Sequence, residues 1–341
     1  MVFLDYASTC PIVKFSSKQY DGFYCNPNAA YAYTERKVLM DCEERIKAAI
    51  GVKSGHVLYF RCATEAIEWL VRDIFGRAHS PYEHDACTLG VEIAPDKVVA
   101  GDFYIHQWVN HITGEIFDLK TIRSQLHKTC KLVVDATAGF GKAKLPSGLD
   151  NIADALFMSG HKIGCPELSF MWLSDNLCEW LGAAKDIRNQ WGLHHGSLSV
   201  ASVLALTDAV EWACENGDRV DGHSVRLYVQ MNGMLDKARI EHHDVIEYVI
   251  ERQAYTASIN AIRLNGINAD ALQQFLATRG IYVGVGGSAC SAAHDYRVLR
   301  AYGLTDCEAS EVIRVSFGDE TTASDIEALV EGIKEYRRQF C

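Results

Sequence analysis

Apolar runs and amphipathic stretches follow one another along the chain and set out strands and helices in turn. Val2 to Tyr6 reads as a short strand, followed by the turn-forming Ser8-Thr9-Cys10-Pro11. From Thr34, side chains at Val38, Leu39, Cys42, Ile46, Ala49 and Ile50 recur at helical spacing and stop at Gly51, which predicts one amphipathic helix. His56 to Phe60 predicts a strand. After Arg61-Cys62-Ala63 a helix is expected to open with Thr64 at its cap and run through Ile67, Leu70, Val71 and Ile74 to Gly76. Val98 to His106 alternates like one or two strands, Leu119 to Leu126 is helical, and Lys131 to Thr137 predicts a central strand. The apolar run ending at Met158 predicts another.

A helix is expected from Val200 to Cys214, and the turn-prone Glu215-Asn216-Gly217-Asp218 then marks a domain boundary. Strands follow near Val245 to Ile250, Ser258 to Leu264, Ile281 to Val285 and Val312 to Phe317. Asn268 caps a helix running to Gly280, and Thr322-Ala323-Ser324-Asp325 opens a last one. Strands alternating with helices predict an α/β fold with a mostly parallel sheet. The expected division is a large domain over 10–216 and a smaller α+β C-terminal domain over 217–341, joined by 1–9.

Composition narrows the classes of partner. The 341 residues carry a formal charge of −11, which argues against a general binder of nucleic-acid backbone. No stretch is apolar enough to span a bilayer and the first residues lack a signal-peptide pattern, so a cytoplasmic protein is expected. The twelve cysteines include no Cys-x-x-Cys pair and suit reduced thiols. No set of His and Cys has structural-zinc spacing, so no metal site is expected.

The candidate chemistry lies where predicted strands end. Ser159-Gly160-His161-Lys162 leaves the strand ending at Met158 with a hydroxyl, an imidazole and an amine. A lysine desolvated beside apolar strand ends loses its proton more easily, and a neutral amine forms Schiff bases; a solvated surface lysine is the plainer reading. Thr64, at a strand-to-helix turn, either caps its helix or helps an anion site there. Asp135 ends a central strand and needs a cationic or donor partner. A phosphate site, a ring-nitrogen acid and a Schiff-base amine on one sheet edge are the three anchors a pyridoxal phosphate enzyme requires. His84 sits in a polar turn, functional or merely solvated. Arg314 lies in a buried-looking strand, satisfied by a substrate carboxylate or by an internal ion pair. Cys290, in Gly286-Gly287-Ser288-Ala289-Cys290-Ser291, lies in a segment without periodicity, where a thiol is either reactive or incidental.

The ordered set Leu4-Asp5-Tyr6-Ala7-Ser8-Thr9, Asn26-Pro27, Ala63-Thr64-Glu65, Glu83-His84, Val109-Asn110 with Thr113-Gly114, Asp135-Ala136-Thr137, Ser159-Gly160-His161-Lys162, Gly196-Ser197, Gly287-Ser288-Ala289-Cys290 and Ile313-Arg314 resembles the cysteine desulfurases. These are class V aminotransferase-like, fold-type I pyridoxal phosphate enzymes, and the resemblance is to the group with a mobile Ser-Ala-Cys loop. It implies that Lys162 carries the cofactor, Asp135 pairs with its ring nitrogen and His84 stacks on the ring and assists proton transfer. Ala63, Thr64, Ser159 and His161 would hold the cofactor, with Ser197 reaching in from a second subunit of a homodimer. Asn110 and Arg314 would bind L-cysteine, His111 would lie by the cofactor, and Cys290 would accept the sulfur. A protein acceptor would follow, either a tRNA-thiolation enzyme or an iron–sulfur scaffold.

The sequence also departs from that pattern. His111 and Ala138 stand where a second asparagine and a glutamine are expected, and His194-His195 replace Arg-Ser. Gly164-Cys165-Pro166-Glu167 replaces a glycine-rich continuation. Two further readings therefore accompany the desulfurase: a selenocysteine lyase or β-lyase with the same cofactor, and a catalytically weak homologue serving as an interaction subunit.

Overall fold

Every residue from Leu132 to Asp135 and from Ala155 to Ser159 is buried, the pattern of strands covered on both faces in a parallel sheet. A computed structural model describes residues 1–72, 77–88, 90–98, 102–242, 246–249, 254–286 and 295–340. Its strands run in chain order as β1 (Val2–Leu4), β2 (His56–Phe60), β3 (Arg77–His79), β4 (Val91–Glu92), β5 (Phe103–Gln107), β6 (Lys131–Asp135), β7 (Ala155–Ser159), β8 (Ser169–Leu173), β9 (Ile246–Tyr248), β10 (Ile259–Leu264), β11 (Ile281–Val285) and β12 (Val312–Ser316). They fall into two units.

One unit comprises Ile12–Trp108 and Asp118–Gly217. Its seven-stranded sheet has the order β2-β8-β7-β6-β5-β3-β4. Strands β3 to β7 pair in parallel, and β8 runs antiparallel to both β7 and β2, so the mostly parallel sheet expected for the fold is present. Strand β8 was not legible in the sequence, because a fully buried five-residue strand has no alternation. The helix after β2 spans Ala63–Val71 and packs Ala66, Ile67 and Leu70 against Phe60, Val133, Phe157 and Met171. Cys62, not Thr64, is its cap: Cys62 is extended and its Sγ accepts from Glu65 N–H at 3.4 Å, while Glu65 Oε2 accepts Arg61 N–H at 2.7 Å. Ala63 enters the helix readily, which moves its cap two residues earlier, from Thr64 to Cys62.

The other unit comprises Met1–Pro11, Val109–Phe117 and Asp218–Cys341. Its five strands are ordered β1-β11-β12-β10-β9, with β1 parallel to β11 and the remaining pairs antiparallel. Helices Ala269–Thr278 and Ala323–Phe340 close this sheet's core, with Leu272, Leu276, Ile326, Leu329, Val330 and Ile333 packed among Ile262, Val283 and Ile313.

The turn expected at Glu215-Asn216-Gly217-Asp218 is absent: one helix runs from Val200 to His242. Buried Leu227, Met231 and Leu235 continue its apolar stripe and outweigh the weak helix propensity of Asn and Gly. The strand expected near 98–106 begins only at Phe103, after a turn at Pro95–Lys97. Among the described residues no helix is long and apolar enough to cross a membrane.

Candidate active site

Strands β6 and β7 are parallel neighbours, in register at Asp135 and Phe157, so both deliver their carboxyl ends to one sheet edge. Asp135 is the last residue of β6 and is 7% exposed. Its Oδ1 accepts Thr137 N–H at 2.8 Å, and its Oδ2 lies 3.7 Å from the Cys87 thiol, a weak donor. No cation pairs with it among the described residues. Thr137 Oγ1 beside it is buried and has no hydrogen-bond partner among the described residues.

Strand β7 ends at Ser159, and the single turn Gly160–Ile163 follows, closed by Gly164 at φ 82°. This turn places Lys162 half-buried, just past the sheet. Ser159 is buried 3.4 Å from Ser169 Oγ, which also accepts Gly160 N–H. Gly160 has no room for a side chain, since a methyl group there would lie 2.1 Å from Leu168 O. Burial, with the Lys162 and Lys142 charges adding to it, pulls the His161 imidazole down to about 4, so it is neutral at pH 7.

His84 caps the turn Asp85–Cys87 by accepting Ala86 N–H on Nδ1 at 3.1 Å. With Nδ1 an acceptor, the neutral ring carries its proton on Nε2. The same turn brings Cys87 to Asp135, so His84 and Asp135 are linked through a residue that sequence reasoning missed. A buried cysteine in a one-turn loop gave no local signal.

Thr64 is exposed in the first turn of its helix, whose opening amides have no intrahelical acceptor. Ser197 is exposed, in a segment tied down by Asn28 Nδ2 to Gly196 O at 3.3 Å.

In the other unit, Asn110, His111 and Arg314 come together. Asn110 Oδ1 accepts the amides of Ile112 and Thr113, both at 2.9 Å, and so sets the turn that carries His111. Arg314 is 1% exposed, donates to His111 O at 2.9 Å and pairs with Asp5 at 2.7 Å. Of the two ways to satisfy Arg314, this structure shows the internal ion pair. Cys290 lies outside the described residues.

The chain matches the aminotransferase class-V family over residues 102–329. It is 25% identical to the cysteine desulfurase IscS of Mannheimia succiniciproducens, covering 98% of this chain and 92% of that one. It is 26% identical to IscS of Pasteurella multocida with the same coverage. Among solved structures, a NifS-like protein superposes with a TM-score of 0.83 at 19% identity, over 99% of this chain and 100% of the other. A NifS-like protein from Rickettsia africae gives 0.80 at 18% identity, over 99% of each. The strand order, the sheet-edge acid and lysine, and the match over two thirds of its length make this chain a member of the aminotransferase class-V family.

Proposed function

We propose that the protein is a pyridoxal phosphate-dependent cysteine desulfurase that converts L-cysteine to L-alanine and carries the sulfur as a persulfide on Cys290. The observation behind this reading is Asp135: a buried carboxylate at a sheet edge, with no cation paired to it among the described residues, one strand from Lys162. Such a group is costly unless a positive partner arrives, and a protonated pyridine nitrogen is one. The Thr137 hydroxyl, without a hydrogen-bond partner among the described residues, and the opening turn of the helix at Ala63 and Thr64 fit the same polar guest. The names of the relatives, matched over nearly the whole chain, support the substrate.

Pyridoxal phosphate, when bound, supplies an electron sink that lets the substrate Cα proton leave. Lys162 would hold it and then take that proton on its amine. Asp135 would keep the ring nitrogen protonated. His84, with Nε2–H outward from its own turn, would stack on the ring and pass a proton. Ser159, neutral His161, Thr64 and Ala63 would bind the phosphate, with Ser197 of a second copy in a homodimer. Asn110 and Arg314 would hold and orient the amino acid, with His111 beside the cofactor. The Cys290 thiolate would bond to the substrate sulfur as the Cβ–S bond breaks, the electron pair staying on the alanine skeleton, which gains a proton at Cβ. The outer sulfur of the persulfide would then pass to an acceptor protein's thiolate, its bond to Cys290 breaking to release the Cys290 thiolate.

The test is alanine and sulfide formation from L-cysteine with a reductant, for the parent, Lys162→Ala and Cys290→Ala. Equal yields that both substitutions abolish sustain the proposal. Full activity of Cys290→Ala replaces it with direct lyase chemistry on cysteine or selenocysteine, and a colourless, inactive parent replaces it with an interaction subunit.

A further inference from the structure

Arg314 is fully buried, so each N–H of its guanidinium needs an acceptor. Nη1 donates to His111 O at 2.9 Å. Nη2 donates to Asp5 Oδ1 and to Ser8 Oγ, both at 2.7 Å, which uses both of its hydrogens. Among the described residues Nε has no hydrogen-bond partner. A carboxylate that grips an arginine with both oxygens takes two N–H groups from one edge of the fork, either Nε with Nη2 or Nη1 with Nη2. Nη2 belongs to both edges and is already fully engaged. An incoming carboxylate therefore has to displace Asp5 or Ser8.

The surroundings favour displacement at the Asp5 edge. A methyl group at Gly284 would lie 2.9 Å from Arg314 Nε, 2.9 Å from Asp5 Oδ1 and 3.1 Å from Arg314 Nη2, so the glycine keeps the Nε edge clear. The Asp5 side chain is 20% exposed, so water can receive its carboxylate when it is released. Asp5 is also well placed to return. It follows β1, bridges to Ser316 of β12, and its carbonyl closes the turn to Ser8 at 2.9 Å.

We propose that Asp5, helped by Ser8, is a positioning residue that stands in for the substrate carboxylate. It neutralises and aims Arg314 in the empty protein and yields the Nε–Nη2 edge when an amino-acid carboxylate arrives. Affinity for the substrate is set by this exchange, because the incoming carboxylate replaces an existing ion pair instead of meeting a free cation. The inference rests on the reading of Arg314 as the substrate's carboxylate site.

The test uses the cofactor-loaded protein and two probes, L-alanine and cysteamine, which lacks a carboxylate. Binding is followed by calorimetry, and folding by thermal denaturation. Asp5→Asn is expected to bind L-alanine about tenfold more tightly and cysteamine unchanged, with KM for L-cysteine lowered and kcat retained. Ser8→Ala, which leaves the charges intact, should tighten L-alanine about threefold and serves alone if Asp5→Asn does not fold. Gly284→Ala should weaken L-alanine selectively. If neither Asp5→Asn nor Ser8→Ala tightens L-alanine, or if both probes shift together, the stand-in role is overturned and Asp5 is a structural counter-ion. Arg314→Lys separates the underlying reading: if it keeps the parent's preference for L-alanine over cysteamine, Arg314 is not the carboxylate site.

Discussion

Gln190 closes the outer edge of β2 by exchanging two hydrogen bonds with the backbone of Tyr59, accepting its N–H at 2.6 Å and donating to its carbonyl at 3.2 Å. A side-chain amide thus acts as one residue of a missing strand, which covers an edge that would otherwise invite pairing. The residue sits in an unusual turn, since Asn189, Gln190 and Trp191 all have positive φ, at 49°, 52° and 60°. Side chains costly in that conformation are held by outside contacts: Asn189 N–H to Asn28, and Trp191 to Glu43 at 2.8 Å with its ring stacked on His56. Gln190→Ala should lower stability by about 2–4 kcal/mol, from two orphaned backbone groups and a released strained turn, measured by urea unfolding. Gln190→Glu keeps the acceptor and loses the donor, so it should fall between.

Among the described residues no cation pairs with Asp135. Replacing it by asparagine keeps the shape and removes a buried charge. Cofactor-free Asp135→Asn should therefore unfold at the same temperature as the parent or higher, while pyridoxal phosphate affinity and kcat fall by about 10²-fold or more. A clear loss of thermal stability in the cofactor-free variant would show that the carboxylate serves folding and not a guest.

Glu167 follows Lys162 by one short loop and ties down the N-terminal segment. Its Oε1 accepts from Ser16 Oγ at 2.8 Å, Ser17 N–H at 2.8 Å and Ser17 Oγ at 3.0 Å, and its Oε2 from Ser202 Oγ at 2.7 Å. Burial acts to raise its pKa, but these donors, Ser202 first, outweigh it and hold the carboxylate below its ordinary value. Lys14 and Phe15 amides also bond Gly164 O. Glu167→Ala should cost about 1–3 kcal/mol and speed amide hydrogen exchange at residues 14–20, with β10 to β12 unaffected.

Helical glycines divide by what surrounds them. Around Gly222 and Gly233, in the helix Val200–His242, no described residue lies within 4 Å of an added methyl, so Gly222→Ala and Gly233→Ala should each raise stability by about 0.5–1 kcal/mol. Gly332 is the opposite case. A methyl there would lie 2.6 Å from Leu276 Cδ2, at the contact of two core helices, and Gly332→Ala should lower the melting temperature.

His106 donates from Nδ1 to Gln107 O at 2.7 Å and is pulled down to about 4 by burial. A depressed base means that the unfolded chain binds a proton that the folded one refuses. Stability is therefore complete above about pH 6.5 and falls as pH drops toward 4, with a slope near 1.4 kcal/mol per pH unit from this group. His106→Gln should flatten that part of the stability profile in urea titrations, whatever its stability at neutral pH.

Local pattern carried the strands and helices that build the sheet. It put Asp135 and Lys162 at the carboxyl ends of two strands, and the parallel order expected from alternating elements makes those ends neighbours. Such features are legible because period, caps and turn residues act within a few positions of one another. It also misled where the signal was weak: Thr64 over Cys62 as a cap, and a turn at Asn216-Gly217 where buried residues further on keep the helix intact. What the tertiary structure alone decided are pairings between distant segments. Arg314 was open between a ligand and an internal acid until Asp5, 309 positions away, was found beside it. Cys87 meets Asp135 across 48 positions, and Gln190 finishes a sheet edge 131 positions upstream. No periodicity marks such partners, because their energies arise only when burial has removed water from both sides of the contact.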